Sequence, residues 1–181
     1  MEALETGDRE HAAVIRPLGR PGDLGWVVMA HGEQYAVEFG WDSTFEALVA
    51  SIVADYAANA SPGKDQAWIA EQNGRRVGCV FCVRKSDRVA QLRILLVDPA
   101  ARGQGLGRQL VQRCVDFARD SGYQELVLWT NDPLASARRI YLAAGFRLVA
   151  EEAHTSFGVN LIGQSYALDL RASTDRRASS C

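Results

Sequence analysis

Apolar positions recur along this chain with two periods, and the switches between them mark out its elements. Residues 1–12 are polar and carry no periodic pattern. Ala12-Ala13-Val14-Ile15-Arg16-Pro17-Leu18 then reads as a strand ending at Pro17. Residues 21 to about 30 read as a helix, with Gly19 and Gly22 near its start. Ser43, followed three residues later by Glu46 and then by the apolar run from Ala47 to Val53, has the form of a capping box opening a second helix. Asn59, Ser61, Pro62 and Gly63 mark a turn.

Three strand-like runs follow at 66–71, 76–84 and 89–97, the first two separated by the hairpin signal Asn73-Gly74. Residues 105–121 are helical, with Leu106, Leu110, Cys114 and Phe117/Ala118 on one face and Gly122 as the stop. A short buried strand at 125–130, a helix at 134–144 ended by Gly145, a strand at 146–151 and a final strand at 164–170 complete the pattern. His154 falls after the sixth of these strands and reads as a solvated loop residue. The irregular alternation predicts an α/β (α+β) domain with a mixed, mostly antiparallel sheet of six or seven strands and helices on both faces. The expected boundaries are a polar segment at 1–12, one domain at 13–170 and a disordered tail at 171–181.

Composition narrows the function classes. The 181 residues suit one domain, and a formal charge of −2 with a pI near 5.9 argues against a nucleic-acid footprint. No apolar run approaches the roughly 20 residues that cross a bilayer. The acidic N-terminus is unlike a signal peptide, so the expectation is a cytoplasmic protein that binds no membrane and has reduced thiols. Cys79 and Cys82 form C-x-x-C, but within a strand residues three apart face opposite sides, which favours two buried thiols. His11, His31 and His154 are too dispersed to complete a zinc site, and no metal is expected.

Chemistry concentrates between the strand at 89–97 and the helix after it. Arg102-Gly103-Gln104-Gly105-Leu106-Gly107 places glycines where a ligand can approach the backbone, at a helix end whose free N–H groups favour an anion. A dinucleotide fingerprint fails because position 108 is arginine, and a P-loop fails because no lysine follows Gly107. The segment instead resembles the pyrophosphate motif of the GNAT superfamily of N-acetyltransferases, [Q/R]-x-x-G-x-[G/A], preceded here by Val97-Asp98-Pro99. The run Ala137 to Phe146 resembles the same family's A-x-x-x-Y-x-x-x-G-F signature. A narrower similarity, through Gly22-Asp23-Leu24-Gly25-Trp26, His31-Gly32 and Glu38-Phe39-Gly40-Trp41, is to acetyltransferase domains fused behind MarR-type regulators in bacteria.

The resemblance implies transfer of an acetyl group from acetyl-CoA to a primary amine of a small molecule or peptide. The cofactor site it implies is Leu95, Leu96, Val97, Arg102, Gly103, Gln104, Gly105, Leu106, Gly107, Arg108 and Asn131. Carbonyl polarisation maps to the amide of Leu96 or Val97, and Tyr141 aligns with the family's general acid. The family's glutamate base position reads Gln91, and its pantetheine-binding asparagine position reads Leu134, leaving Asn131 as the substitute. Glu33, Glu38, Asp42, Glu46 and His154 stand as candidate bases, and Glu46 is equally the capping partner of Ser43. Trp26, Tyr35, Phe39, Trp41 and Phe45 either line an acceptor site or pack helices on the sheet. A non-catalytic acyl-CoA sensor is the alternative. A homodimer, common in the family, is left open.

Overall fold

A computed structural model describes residues 12–171; apart from Ala12 and Arg171, the predicted polar N-terminus and C-terminal tail lie outside the described residues. The strands are β1 (Val14–Pro17), β2 (Gln66–Gln72), β3 (Arg75–Arg84), β4 (Val89–Val97), β5 (Glu125–Asn131), β6 (Arg147–Ser156) and β7 (Val159–Asp169). The α-helices are α1 (Asp23–Phe39), α2 (Ser43–Asn59), α3 (Leu106–Asp120) and α4 (Ala135–Ala143). The strands form one sheet in the order β1-β2-β3-β4-β5-β7-β6, and only the β4–β5 pair is parallel. This is the predicted mixed, mostly antiparallel architecture.

Each face of the sheet has its own apolar layer. Helices α1 and α2 cover one face through Val27, Tyr35, Phe45, Val49 and Val53; α3 and α4 cover the other through Leu106, Leu110, Cys114 and Tyr141. Strand alternation separates the C-x-x-C pair as expected. Cys79 joins the first layer and Cys82 the second, both fully buried and unbridged. Asn73 and Gly74 both take positive φ (51° and 74°), the geometry of a two-residue hairpin turn between β2 and β3.

Three elements differ from the pattern reading. Helix α1 does not stop near residue 30; Val27, His31 and Tyr35 recur at four-residue spacing on its buried face, and the helix runs on to a left-handed cap at Gly40. The second helix is capped by Asp42, whose carboxylate accepts from the Thr44 amide, and not by Ser43. Glu46 therefore falls outside the capping box and rests against Gly32, where a β-carbon would meet its carboxyl at 2.9 Å. Finally, the strand read as ending near residue 151 continues to Ser156, and a two-residue turn at Phe157-Gly158 returns it as β7. Phe157 adopts φ 58°, rare for a large side chain. Its ring is held by Trp41 and Phe45, and its carbonyl accepts from the Asp42 amide. Tertiary packing supplies what the local sequence did not announce.

The entry to α1 is fastened by a buried carboxylate. Asp23 is fully buried and accepts from Arg16 Nη1 (2.8 Å) and Nη2 (2.9 Å), from Arg76 Nε (2.8 Å), and from the amides of Gly19 and Arg20. It thereby joins β1, β3 and α1, while Glu71 on β2 takes a further bond from Arg16. The Arg16 guanidinium, first among these partners, holds the Asp23 carboxyl well below the usual carboxylate range. Because the folded-state value is depressed, the stabilisation is complete above the unfolded value near 4 and is lost as pH falls below it. Asp23→Asn is expected to cost about 3 kcal/mol in urea unfolding at pH 7, by leaving two arginines short of their counter-charge. The difference from wild type should shrink as pH falls below about 4, where the unfolded chain takes up a proton on this carboxyl while the native carboxylate stays ionised until lower pH.

Candidate active site

Parallel pairing of β4 with β5 runs only from Val89↔Glu125 to Leu92↔Leu128. The cause lies in β4: Ile94 takes φ 43°, a left-handed value that is costly for a β-branched residue, and the β3–β4 register shifts there. Past this bulge β4 follows β3 alone, and its other edge is left without a strand partner. Asp98 N–H donates to Val77 O on β3 (2.8 Å). Amides alternate sides along a strand, so Leu96 N–H also faces β3, while those of Leu95 and Val97 face the open edge. Of the two residues expected to polarise a carbonyl, Leu96 is thus turned away: its amide faces β3 and its side chain is buried under α1 and α2. Val97 and Leu95 instead present their amides to the open edge.

At the end of β4 the chain passes through a short 3₁₀ turn, Pro99–Ala101, capped by the Asp98 carboxylate, and reaches the glycine-rich loop. Gly103 and Gly105 hold φ of 79° and 76°, with open space where a β-carbon would stand. Gly105 caps α3, whose first turn holds no acidic residue. Among the described residues, the amides of Gly103, Gln104, Gly105, Leu106, Gly107 and Arg108 donate to no backbone or side-chain acceptor. Six consecutive free N–H groups at the positive end of a 15-residue helix make a cradle suited to a pyrophosphate. Arg102 contributes differently. Its guanidinium is bound to Glu38 (2.5 and 3.2 Å) and to the Val97 carbonyl (3.3 Å), so the side chain braces the loop against α1. Gly107 is also different, because a β-carbon there would meet Ile140 Cδ1 at 2.7 Å. It is a close-packing glycine between α3 and α4, and its backbone N–H alone belongs to the cradle.

Between the diverging strands lies a cavity of about 120 Å³. Tyr35, Phe45 and Ile52 wall it from the α1/α2 side, and Tyr141 from the α4 side, so it passes through the plane of the sheet. Leu95 and Asn131 also line it, as does Gln91. The Tyr141 hydroxyl makes no hydrogen bond among the described residues, and burial raises its pKa far above the ordinary phenol value, so it stays protonated throughout the neutral range. Asn131 is buried, with its Oδ1 accepting from His154 Nε2 at 2.8 Å, which leaves its amide nitrogen to donate elsewhere. His154 is no loop residue: it sits in β6, and its other nitrogen meets Ser156 Oγ at 2.9 Å. Glu33, Glu38, Asp42 and Glu46 are exposed and none lines the cavity. Arg93 is the single charged residue on its wall. Tyr35, Trp41 and Phe45 pack in the apolar layer between the sheet and α1/α2 and also line the cavity, whereas Trp26 and Phe39 do not line it.

The model of the acetyltransferase (GNAT) family matches residues 33–146, more than half of the chain, and the chain belongs to that family. Human N-acetyltransferase 8B is 39% identical over 85 residues, 44% of this chain and 37% of its own length. The zebrafish N-acetylaspartate synthetase is 35% identical over 85 residues, 46% of this chain and 30% of its own. The chain thus spans well under half the length of these curated relatives. Among solved structures, yncA of Salmonella typhimurium, determined with its cofactor acetyl-CoA, superposes with a TM-score of 0.66 at 23% identity, covering 88% of this chain and 95% of that one. A GNAT-family acetyltransferase from Staphylococcus aureus gives a TM-score of 0.71 at 22% identity, covering 88% and 99%.

Gly107→Ala is expected to cost about 1–3 kcal/mol in thermal or urea unfolding by forcing α4 away from α3. Pairing it with Ile140→Val, which removes the methyl group met at 2.7 Å, should recover part of that loss.

Proposed function

We propose that this chain is an N-acetyltransferase that moves an acetyl group directly from acetyl-CoA to a primary amine of a small molecule or peptide. The observation that carries the reading is order along the chain: the unpaired edge of β4 runs from the cavity that Leu95 and buried Tyr141 line to the loop with six unpartnered amides. The family relationship and the fold shared with acetyl-CoA-bound yncA support the same reading. The domain it assigns spans residues 13–170. Three buried free thiols fit a reducing, cytoplasmic setting.

Acetyl-CoA supplies an acyl group already activated as a thioester. The chain's own residues do the rest. The amides of residues 103–108 hold the pyrophosphate, with the α3 dipole adding positive potential. The outward-facing amides of Leu95 and Val97 orient the pantetheine arm and stabilise charge developing on the carbonyl oxygen, an effect typically worth about 2.7–4 kcal/mol. Asn131, fixed by His154, donates its amide nitrogen toward the same channel. Tyr141, protonated at neutral pH, gives its proton to the sulfur as the carbon–sulfur bond breaks, and regains one by way of solvent from the nitrogen that has formed the new carbon–nitrogen bond.

A second reading, an acyl-CoA-binding sensor, draws on one observation: no carboxylate lines the cavity to take the amine's proton. Thiol release from acetyl-CoA with a panel of primary amines separates the two, because a sensor would bind the cofactor without turnover. Under the enzymatic reading, Tyr141→Phe should lower kcat by roughly 100-fold with acetyl-CoA affinity by calorimetry nearly unchanged. An unaltered rate would remove Tyr141 from the acid role. Gly105→Val should abolish acetyl-CoA binding, since its φ of 76° is closed to a branched residue and the cradle must rearrange. Normal binding by that variant would sink the cradle.

A further inference from the structure

His31 sits at the middle of α1, is 1% exposed, and lines the cavity. Its Nδ1 lies 2.8 Å from the Val27 carbonyl oxygen, one helical turn back. A carbonyl can only accept, so Nδ1 carries the proton and Nε2 presents a bare lone pair. That Nε2 is buried and has no hydrogen-bond partner. Burial also holds the ring's pKa down at about 4, which keeps it uncharged at neutral pH. Tyr35 stacks on the ring at 5.7 Å and Phe45 tilts against it at 6.3 Å, so its orientation is fixed. Leaving a buried acceptor unsatisfied is destabilising, and here it belongs to a residue that lines the cavity read above as the transfer site.

The other polar groups on that wall are of a different kind. Tyr35, Tyr141, Thr130, Gln91 and Asn131 each carry both a donor and an acceptor, and Arg93, Trp41 and Trp129 carry donors alone. His31 Nε2 is the one nitrogen on the wall that can only accept. The rest of the α1/α2 side is apolar or aromatic: Trp41, Phe45, Leu48, Val49 and Ile52. Arg93 opposes any second positive charge on a ligand.

We propose that His31 Nε2 is the hydrogen-bond acceptor for an N–H of the incoming amine, in a subsite built for primary amines with a compact apolar or aromatic body and no second cation. The proposal rests on the acetyl-transfer reading for its substrate, but it concerns only the amine. By accepting one N–H of the neutral amine, whose extra proton has gone to solvent, His31 leaves the nitrogen lone pair free and fixes where it points. No proton needs to move to His31 for it to do so. It thus acts by touching and orienting the substrate, on the side of the sheet opposite Tyr141.

The test uses the whole chain with CoA or acetyl-CoA present and 2-phenylethylamine as the probe. Nitrogen-15 NMR of imidazole-labelled protein should show His31 with Nε2 unprotonated at pH 7, and saturating amine should shift that resonance. His31→Phe, which keeps the ring and its stacking, should raise KM for the amine by about tenfold, the loss of one hydrogen bond. Acetyl-CoA affinity should not change, and His31→Gln, which restores an acceptor near the Nε2 position, should recover part of the KM. An Nε2 resonance unmoved by an amine that the protein acetylates, or a wild-type KM in His31→Phe, overturns the proposal. If the resonance moves but no thiol is released, the subsite stands and the acetyl-transfer reading falls. If the amine neither shifts the resonance nor releases thiol, the subsite falls, and acetyl transfer is decided by the amine panel. Should His31→Phe fail to fold, the wild-type resonance alone decides.

Discussion

The parting of β4 from β5 is the constraint on which the rest of the molecule depends. Two parallel strands that stayed paired would close the sheet and leave no channel through it. Here the pairing ends at Leu92 and Leu128, and the bulge at Ile94 turns the next residues of β4 away. The unpaired edge that results would be a liability on a sheet's rim. In the middle of the sheet it becomes a row of amide donors facing a cavity. The same divergence lets Tyr35 and Tyr141, rooted in opposite apolar layers, look into one space.

Keeping a gap open inside a sheet requires the halves on either side to be braced independently. On one side, Asp23 ties β1 and β3 to α1, and Arg102 ties the glycine-rich loop to Glu38 of the same helix. On the other, the β6–β7 hairpin folds its Phe157 tip onto Trp41 and Phe45 at the start of α2. The two braces meet across the aromatic cluster of Tyr35, Trp41 and Phe45, which roofs the cavity. Helices α1 and α2 therefore have two tasks, and their aromatic content reflects both. Rings large enough to hold the hairpin tip are also the rings a small apolar amine would meet.

Much of this was legible in the chain. The order of strands and helices, the Asn73-Gly74 hairpin, the opposed faces of Cys79 and Cys82, and the glycine-rich turn all follow from local rules of period, positive φ and helix ends. What those rules missed has a common cause. Helix α1 runs on past residue 30 because a histidine takes an apolar position in its stripe, and a histidine reads as polar. The β6–β7 hairpin turns at a phenylalanine, which no local signal marks as a turn and which distant packing holds in place. Gly107 reads as part of the ligand cradle, yet its side faces Ile140; only the packing of α4 shows that.

By itself, then, the sequence determined the glycine-rich turn at the head of α3 and the family of the chain, because these are properties of backbone conformation and of motifs contiguous along the chain. It also placed Tyr141 on a helix near the right strand. The tertiary structure decided which amides are free, that Leu96 faces β3 while Leu95 and Val97 face the gap, and that the candidate carboxylates of α1 and α2 stay outside the cavity. It brought His31 to the cavity wall with one nitrogen committed and the other bare. Those outcomes depend on a strand bulge and on packing between residues far apart in the chain, and neither has a period or a motif to be read.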